Sequence, residues 1–193
     1  MKKQHYTLIE MLVTVAVIAI LAGIAAGAYS GIQKKAMLNR AAADCTAIQL
    51  AIKNFEAEYT TYPNFSSAGG GTVGSPYTGL SSSDYQSLIQ TLTGVTWKNT
   101  TVYSDFGTNN RKKIKFLDLP SKYSTNGFVD PWGKEYKVVY NTTGNPSMTV
   151  RLTTSPSIYD VTLLTPVAVF TQEGPSSGLQ NRFATSWGGV ITR

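Results

Sequence analysis

Few residues of this 193-residue chain carry side chains suited to catalysis. The one histidine, His5, lies almost at the N-terminus, and the one cysteine, Cys45, lies far from it in the sequence. A Ser-His or Cys-His nucleophile needs a base within hydrogen-bond reach and a third group that orients this base, and the sequence offers no such set. These carboxylates lie outside any recognisable catalytic motif: Asp118, Asp130, Glu135 and Asp160. We therefore expect no enzyme activity and no cofactor.

A single carboxylate, Glu10, stands at the head of a long uncharged segment. The residues from Met11 to Ala28 include no charged side chain. As a helix these 18 residues extend roughly 27 Å, close to the thickness of the hydrocarbon core of a bilayer. A charge in a membrane segment is costly and usually functional. The sequence therefore predicts a membrane helix and a binding partner for Glu10.

The apolar segment is expected to stay in the mature protein as an anchor. A cleavable secretory signal has a shorter apolar core followed by a small-residue cleavage site, whereas here a helical pattern continues beyond the core. A simpler alternative is a single-pass anchor with Glu10 near its interfacial end by chance. Charge bias does not set the orientation, because lysines precede the segment and Lys34, Lys35 and Arg40 follow it.

The N-terminal motif resembles that of type IV pilins and type II secretion pseudopilins. A leader with Lys2 and Lys3 precedes Tyr6-Thr-Leu-Ile-Glu10 and the apolar segment. The resemblance implies that a prepilin peptidase cuts between His5 and Tyr6 and methylates the new amine of Tyr6. It implies that Glu10 pairs with the free Tyr6 amine of a neighbouring subunit in a filament. The chain departs from the family at His5, where the family normally has Gly.

These features divide the chain into four parts: a basic leader (1–5), a membrane or filament-core helix (6–31), an amphipathic helix half (32–62) and a globular α+β head (63–193). The resemblance places the leader in the bacterial cytoplasm, the helix in the inner membrane as a single span, and the head in the periplasm. Gly23, Gly27 and Gly31 share one helix face and allow close approach of another helix or local flexibility. Gly27 stands where pilin-type helices usually carry Pro.

The second half of the helix carries an apolar stripe at spacings of three and four, which indicates one helical face. The stripe consists of Leu38, Ala41, Cys45, Ile48, Ile52, Phe55 and Tyr59. A dimeric coiled coil would use the same stripe, but the strand-rich sequence downstream offers a partner within the chain. We expect the helix to end at Tyr62-Pro63 and to pack on a small antiparallel sheet, as in the pilin fold.

The head is predicted to contain one short helix and four extended segments. Ser83–Leu92 reads as a helix with Ser82 or Ser83 as its cap and Gly94 as its end. The extended segments are 113–117, 134–140, 147–153 and 167–170, and a turn at 143–146 is expected to join the second and third as a hairpin.

The segment Phe128-Val-Asp-Pro-Trp-Gly-Lys-Glu-Tyr136 resembles a segment of the major, G-type pseudopilins. Asp130 and Pro131 favour a turn, Trp132 offers an apolar anchor and Gly133 supplies an unusual backbone conformation. The C-terminal segment also resembles the closing loop of that family, which commonly binds calcium. The candidate ligands there are Glu173, Ser176, Ser177 and Asn181. Calcium takes six to eight oxygen ligands with several carboxylates, and Glu173 is the only acidic residue after Thr171, so ligand count argues against this site.

The chain carries a net charge of +6, and its densest basic run is Arg111-Lys-Lys-Ile-Lys115. We expect this run to be a solvated strand face. The family resemblance implies a structural subunit of a pseudopilus-like filament, whose partners are copies of itself, other pilin-like subunits, the prepilin peptidase and an inner-membrane assembly platform. The alternative is a membrane-anchored minor pilin that captures DNA through the basic run. Under the first prediction, a filament subunit, we expect no binding of nucleic acid.

Overall fold

The chain is α+β, with a long N-terminal helix and a small antiparallel sheet. The computed structural model describes residues 7–65, 79–94, 109–119, 127–141, 147–153, 158–172 and 182–192. The chain divides into two compact units, Met1–Met37 and Leu38–Arg193. Helix α1 spans Leu8–Tyr59, so that residues 8–37 belong to the first unit and residues 38–59 to the second. The predicted fold class is confirmed at this level.

The apolar stripe of α1 is buried within the second unit, as the spacing predicts. Leu38, Ala41, Cys45, Ile48, Ile52 and Phe55 are at most 2% exposed. Helix α1 ends at Tyr59, three residues before the predicted end. The reason is local, because Thr60 adopts a left-handed backbone with φ of 58° while its N–H still donates to the Glu56 carbonyl at 2.7 Å.

Helix α2 spans Ser82–Thr93 and its caps follow the local sequence. The Ser81 hydroxyl accepts from the Asp84 N–H at 3.3 Å, so the cap lies one residue before the predicted Ser82 or Ser83. At the other end Gly94 takes a left-handed conformation and its N–H donates to the Gln90 carbonyl at 3.0 Å, as the glycine there predicts. The predicted apolar face of α2 is buried, and it consists of Tyr85, Leu88, Ile89 and Leu92.

Within the described residues, six strands form two antiparallel sheets. The strands are β1 (Lys137–Tyr140), β2 (Met148–Thr153), β3 (Ile158–Leu163), β4 (Val167–Phe170), β5 (Arg182–Thr185) and β6 (Gly189–Thr192). The larger sheet has the order β1-β4-β5-β6, and β2 pairs with β3 in a separate sheet. The predicted hairpin between β1 and β2 is therefore wrong, since β1 pairs with β4. The predicted extended segment 113–117 is not a strand, and β3, β5 and β6 were not predicted.

The four-stranded sheet is covered on both faces. On one face Val138, Tyr140, Val167, Val169 and Ala184 join the α1 stripe and the apolar face of α2 in one core cluster. On the other face Val139, Ala168, Phe170 and Phe183 pack with apolar residues of β2 and β3. Because side chains alternate along a strand, β1, β4 and β5 each contribute to both clusters. This double coverage explains why all four residues of β4 are buried.

Candidate assembly site at the start of the long helix

Thr7 and Glu10 form a reciprocal hydrogen-bonded pair at the beginning of α1. The Thr7 N–H and hydroxyl donate to Oε2 of Glu10 at 2.9 and 3.0 Å, and the Glu10 N–H donates to the Thr7 hydroxyl at 3.3 Å. The Thr7 carbonyl accepts from the Met11 N–H, so Thr7 is the N-cap and Glu10 is the third helical residue. This arrangement is a capping box, which satisfies N–H groups that the first turn leaves without a helical partner.

The capping role of Glu10 was missed at the sequence level although its signal is present. Thr7-Leu-Ile-Glu10 has the spacing of the capping-box pattern. Glu10 therefore has a partner within its own chain. Its carboxylate is exposed, which also leaves it accessible to a second molecule. His5 and Tyr6, the residues of the predicted cleavage site, lie outside the described residues.

The first unit exposes large apolar side chains all around α1. Leu8 is 83% exposed, and its apolar neighbours along the helix are also exposed, each to a smaller fraction. These are Ile9, Met11, Leu12, Val13, Val15, Val17, Ile18, Ile20, Leu21 and Ile24. The polar side chain of Thr14 is satisfied internally, since its hydroxyl donates to the Met11 carbonyl at 2.9 Å. A helix that is apolar on all sides is typical of burial in a membrane or in a protein core.

Two glycines of this helix, Gly23 and Gly31, have open space beside the backbone. A methyl group placed at Gly23 or Gly31 would meet no atom within 4 Å. Packing within the described chain therefore does not demand glycine at these two positions. Gly27 also lies within α1.

No helix among the residues that the structure describes combines the length and the apolarity of a membrane span.

The turn at Asp130–Gly133 is held by the Asp130 carboxylate. Oδ1 accepts from the backbone N–H groups of Trp132 at 2.9 Å and Lys134 at 2.8 Å, while Gly133 has φ of 84°. Trp132 is half-buried against the core cluster that contains the α1 stripe. Oδ2 of Asp130 is buried and has no hydrogen-bond partner in the described part of the chain. Burial therefore raises the pKa of Asp130, although the backbone donors act in the opposite direction. The turn is a structural support of the head.

Hydrogen bonds connect α1 to the segment that follows this turn and to the sheet. The Tyr136 hydroxyl donates to Oδ2 of Asp44 on α1 at 2.9 Å. Burial, followed by the negative charge of Asp44, raises the pKa of Tyr136. Gln49 on α1 donates to the carbonyl of Val167 in β4 at 2.7 Å, and the buried Cys45 thiol lies 3.6 Å from the Ala184 carbonyl. Cys45 is thus a buried core residue, as predicted.

The basic run lies in an irregular segment, so the predicted strand face is wrong. Lys112 pairs with Glu58 near the end of α1, and this carboxylate raises the pKa of Lys112. Lys115 pairs with Asp118 at 2.5 Å. Arg111 and Lys113 are exposed. Two of the four cations are already neutralised within the chain, and DNA capture by this run stays a prediction.

The candidate calcium ligands Glu173, Ser176, Ser177 and Asn181 lie outside the described residues. Within the described part of the chain, no three His, Cys, Asp or Glu side chains come together as a metal site. Calcium binding by the closing loop stays a prediction.

Comparison of the chain with protein-family models, with curated proteins and with solved structures gives no match.

Proposed function

We propose that this protein is a structural subunit of a pilus-like filament, of the kind built by type II secretion and related type IV filament systems. The observation that carries the proposal concerns the part of α1 that belongs to the first unit, residues 8–37. Large apolar side chains are exposed around this part of the helix, and Glu10 lies at its start. A helix of this composition needs an apolar environment. A membrane before assembly and a filament core after assembly would both supply one.

The second unit supports the proposal through its architecture. Residues 38–59 of α1 pack by one apolar stripe on an antiparallel sheet, which is compatible with a pilin head. We propose that this arrangement is a pilin fold, closest to the G-type pseudopilins, on the strength of the N-terminal motif and of the Asp130–Gly133 turn. The proposed location is the bacterial inner membrane, with the head outside the cytoplasm.

Assembly would exchange lipid contacts for contacts with identical helices. Because lipid chains are as apolar as these side chains, association relies on close packing and on polar interactions between helices. A head-to-tail contact that does not close on itself gives a helical filament. In this account packing supplies cohesion, while Glu10 and the Tyr6 amine of a neighbour set the register.

The capping box allows the charge of Glu10 to be tested apart from its capping role. Glutamine can replace glutamate in a capping box, so Glu10→Gln keeps the cap and removes the charge, whereas Glu10→Ala removes both. Filaments would be counted by electron microscopy of cells that express the full chain, a prepilin peptidase and the assembly platform. Glu58→Gln is the matched control, because it neutralises another exposed carboxylate of α1, outside the first unit.

We expect both Glu10 variants to lose filaments and Glu58→Gln to keep them. Filaments formed normally by Glu10→Gln but not by Glu10→Ala would assign Glu10 to capping alone and would contradict the proposed pairing. Absence of filaments from the unmodified chain, at a verified level of expression, would contradict the subunit proposal itself.

A further inference from the structure

The loop from Asn110 to Ile114 has a backbone that is fixed from inside the second unit. Asn110 is 0% exposed. Its side-chain oxygen accepts from the Ile114 N–H at 3.0 Å, and its side-chain nitrogen donates to the Ile114 carbonyl at 2.8 Å. The Asn110 carbonyl accepts from the Lys113 N–H at 3.1 Å. A surface whose backbone is fixed in advance loses less entropy when it binds a partner.

Lys113 has a backbone conformation that glycine adopts more readily. Its φ is 52°, in the left-handed region where a side chain is strained. The Lys113 side chain is exposed and forms no ion pair with the described residues. Contacts within the described chain therefore do not explain why this position carries a long cationic side chain. Strained conformations of this kind cluster at functional sites.

The four cations of the basic run differ in their partners. Lys112 pairs with Glu58, and Lys115 pairs with Asp118. Arg111 and Lys113 are both exposed, and neither forms an ion pair within the described part of the chain. We refer to Arg111 and Lys113 as the loop pair. Their charges are available to a partner outside the chain.

The hydrogen bonds of the loop argue against a site for a free phosphate. Backbone sites for phosphate use several N–H groups that point at the anion. Here the N–H groups of Lys112, Lys113 and Ile114 all donate within the chain, to the Tyr59 hydroxyl, the Asn110 carbonyl and the Asn110 side chain. The loop thus offers two side-chain cations and not a cradle of backbone donors.

The number of available cations favours carboxylates over nucleic acid. Proteins that hold DNA by its backbone neutralise many phosphates, whereas two of the four cations in this run are already neutralised by carboxylates. A guanidinium group binds a carboxylate through two parallel hydrogen bonds, and an ammonium group adds a point charge beside it. Arg111 and Lys113 therefore suit two neighbouring carboxylates.

A second copy of this chain is a poor source of these carboxylates. Every carboxylate in the described ranges already has a hydrogen bond or an ion pair within its own chain. These are Glu10, Asp44, Glu56, Glu58, Asp84, Asp118, Asp130, Glu135 and Asp160. The net charge of +6 also makes two copies repel each other. A different protein with an acidic surface fits better.

We propose that the loop pair is a docking site for an acidic segment of a different protein, which places neighbouring carboxylates against Arg111 and Lys113. The site lies outside the apolar part of α1 and does not depend on the filament proposal.

The test measures binding of a fluorescein-labelled hexaglutamate peptide to the full chain in an uncharged detergent, by fluorescence anisotropy. Labelled hexaglutamine shows the binding that does not depend on charge, and an oligothymidylate of equal charge tests the nucleic-acid alternative. The loop-pair variant is Arg111→Gln with Lys113→Gln. The matched control is Lys35→Gln with Lys53→Gln, which removes the same charge from two exposed lysines of α1.

Lys113→Gly tests the side chain of Lys113 apart from its backbone. Glycine adopts a φ of 52° without strain, so the melting temperature of this variant should not fall. We expect it to bind hexaglutamate about twofold more weakly or worse, since one charge is lost. Unchanged binding would overturn the role of the Lys113 side chain.

Hexaglutamate should bind more tightly than hexaglutamine, with affinity lowered about fivefold or more by the loop-pair variant and less than about twofold by the control. Equal losses in the two double variants would overturn the site, because they would reflect overall charge alone. The ligand class would be overturned if hexaglutamate had no advantage, or if oligothymidylate bound more tightly and lost its binding in the loop-pair variant.

Self-association of the purified chain, measured by analytical ultracentrifugation, tests the remaining partner. Self-association that is lost in the loop-pair variant but kept in the control would identify a second copy and overturn the proposal of a different protein. These measurements use the purified chain and do not require filaments, so failure of this inference and failure of the filament proposal are distinguishable.

Discussion

Replacing Gln90 by leucine should stabilise the protein, although it changes a polar residue of the core. Gln90 lies on α2 and is 0% exposed, and neither Oε1 nor Nε2 has a hydrogen-bond partner among the described residues. A buried polar group without a partner has lost its bonds to water and gained nothing in return. Leucine has a similar volume and no polar atom, so the substitution removes this cost without leaving a large cavity.

The expected gain follows from the cost of an unpaired polar group, about 1–3 kcal/mol. Loss of packing by the differently shaped side chain offsets part of the gain from two unpaired atoms. We therefore expect the free energy of unfolding to rise by about 1–3 kcal/mol. For a unit of this size, each kcal/mol raises the melting temperature by about 2–4 °C. The melting temperature should thus rise by roughly 2–12 °C.

The assay is thermal unfolding of the full chain in detergent, followed by near-ultraviolet circular dichroism of the aromatic residues in the head. Gln86→Leu is the matched control on the same helix, because the Gln86 amide donates to Oε1 of Glu135 at 3.0 Å. That control should give no gain in stability. A lower melting temperature for Gln90→Leu than for the unmodified chain would refute the reasoning, since the cost of the unpaired amide would then be smaller than the packing that leucine loses.

Three further changes test the head. Asn110→Ala removes the four hydrogen bonds of a buried side chain, to Tyr59, Thr91 and Ile114, and should cost about 3–5 kcal/mol in urea unfolding. A loss below about 1 kcal/mol would contradict this. Gly133→Ala, with φ of 84° and open space beside it, should cost about 1–2 kcal/mol through backbone strain; an unchanged melting temperature in calorimetry would count against the strain. Burial raises the pKa of Asp130, so the folded state binds the proton of this carboxyl group more tightly than the unfolded state does. The contribution of Asp130 to stability therefore falls as the pH rises from the ordinary pKa of 3.8 through the raised pKa. The stability of Asp130→Asn relative to the unmodified chain should then rise with pH in urea unfolding series from about pH 4 to 7, and a constant difference would contradict the burial argument.

The two helices could be predicted because their signals are local. The apolar stripe from Leu38 to Phe55 and the glycine at position 94 each determine nearby backbone without reference to the rest of the chain. The end of α1 could not be placed, since the left-handed conformation of Thr60 goes against the preference of a β-branched residue.

The strand pairing could not be predicted because it depends on distant residues. A turn-like stretch at 143–146 suggested that β1 and β2 pair, but β1 pairs in register with β4, from Lys137 opposite Phe170 to Tyr140 opposite Val167. Neither β5 nor β6 is predicted by the sequence, and β5 lies within the segment that resembles a closing loop. Phe183 and Ala184 face opposite sides of the sheet, and a stretch of four residues shows this alternation too briefly to be recognised.

For the candidate site, sequence reasoning found the position of Glu10 but not its local partner. The membrane cost of the charge predicts a partner in another subunit, but it does not indicate the short-range partner Thr7. The capping box does not exclude a neighbour, because the carboxylate stays exposed.

The central claim, a processed filament subunit, is tested most directly at the N-terminus. The measurement is the intact mass and the N-terminal sequence of the protein recovered from cells that express a prepilin peptidase. The account predicts a chain that begins at N-methylated Tyr6, with the leader that ends at His5 removed. A chain that still begins at Met1 in the presence of an active peptidase would contradict it and would favour a static anchored protein.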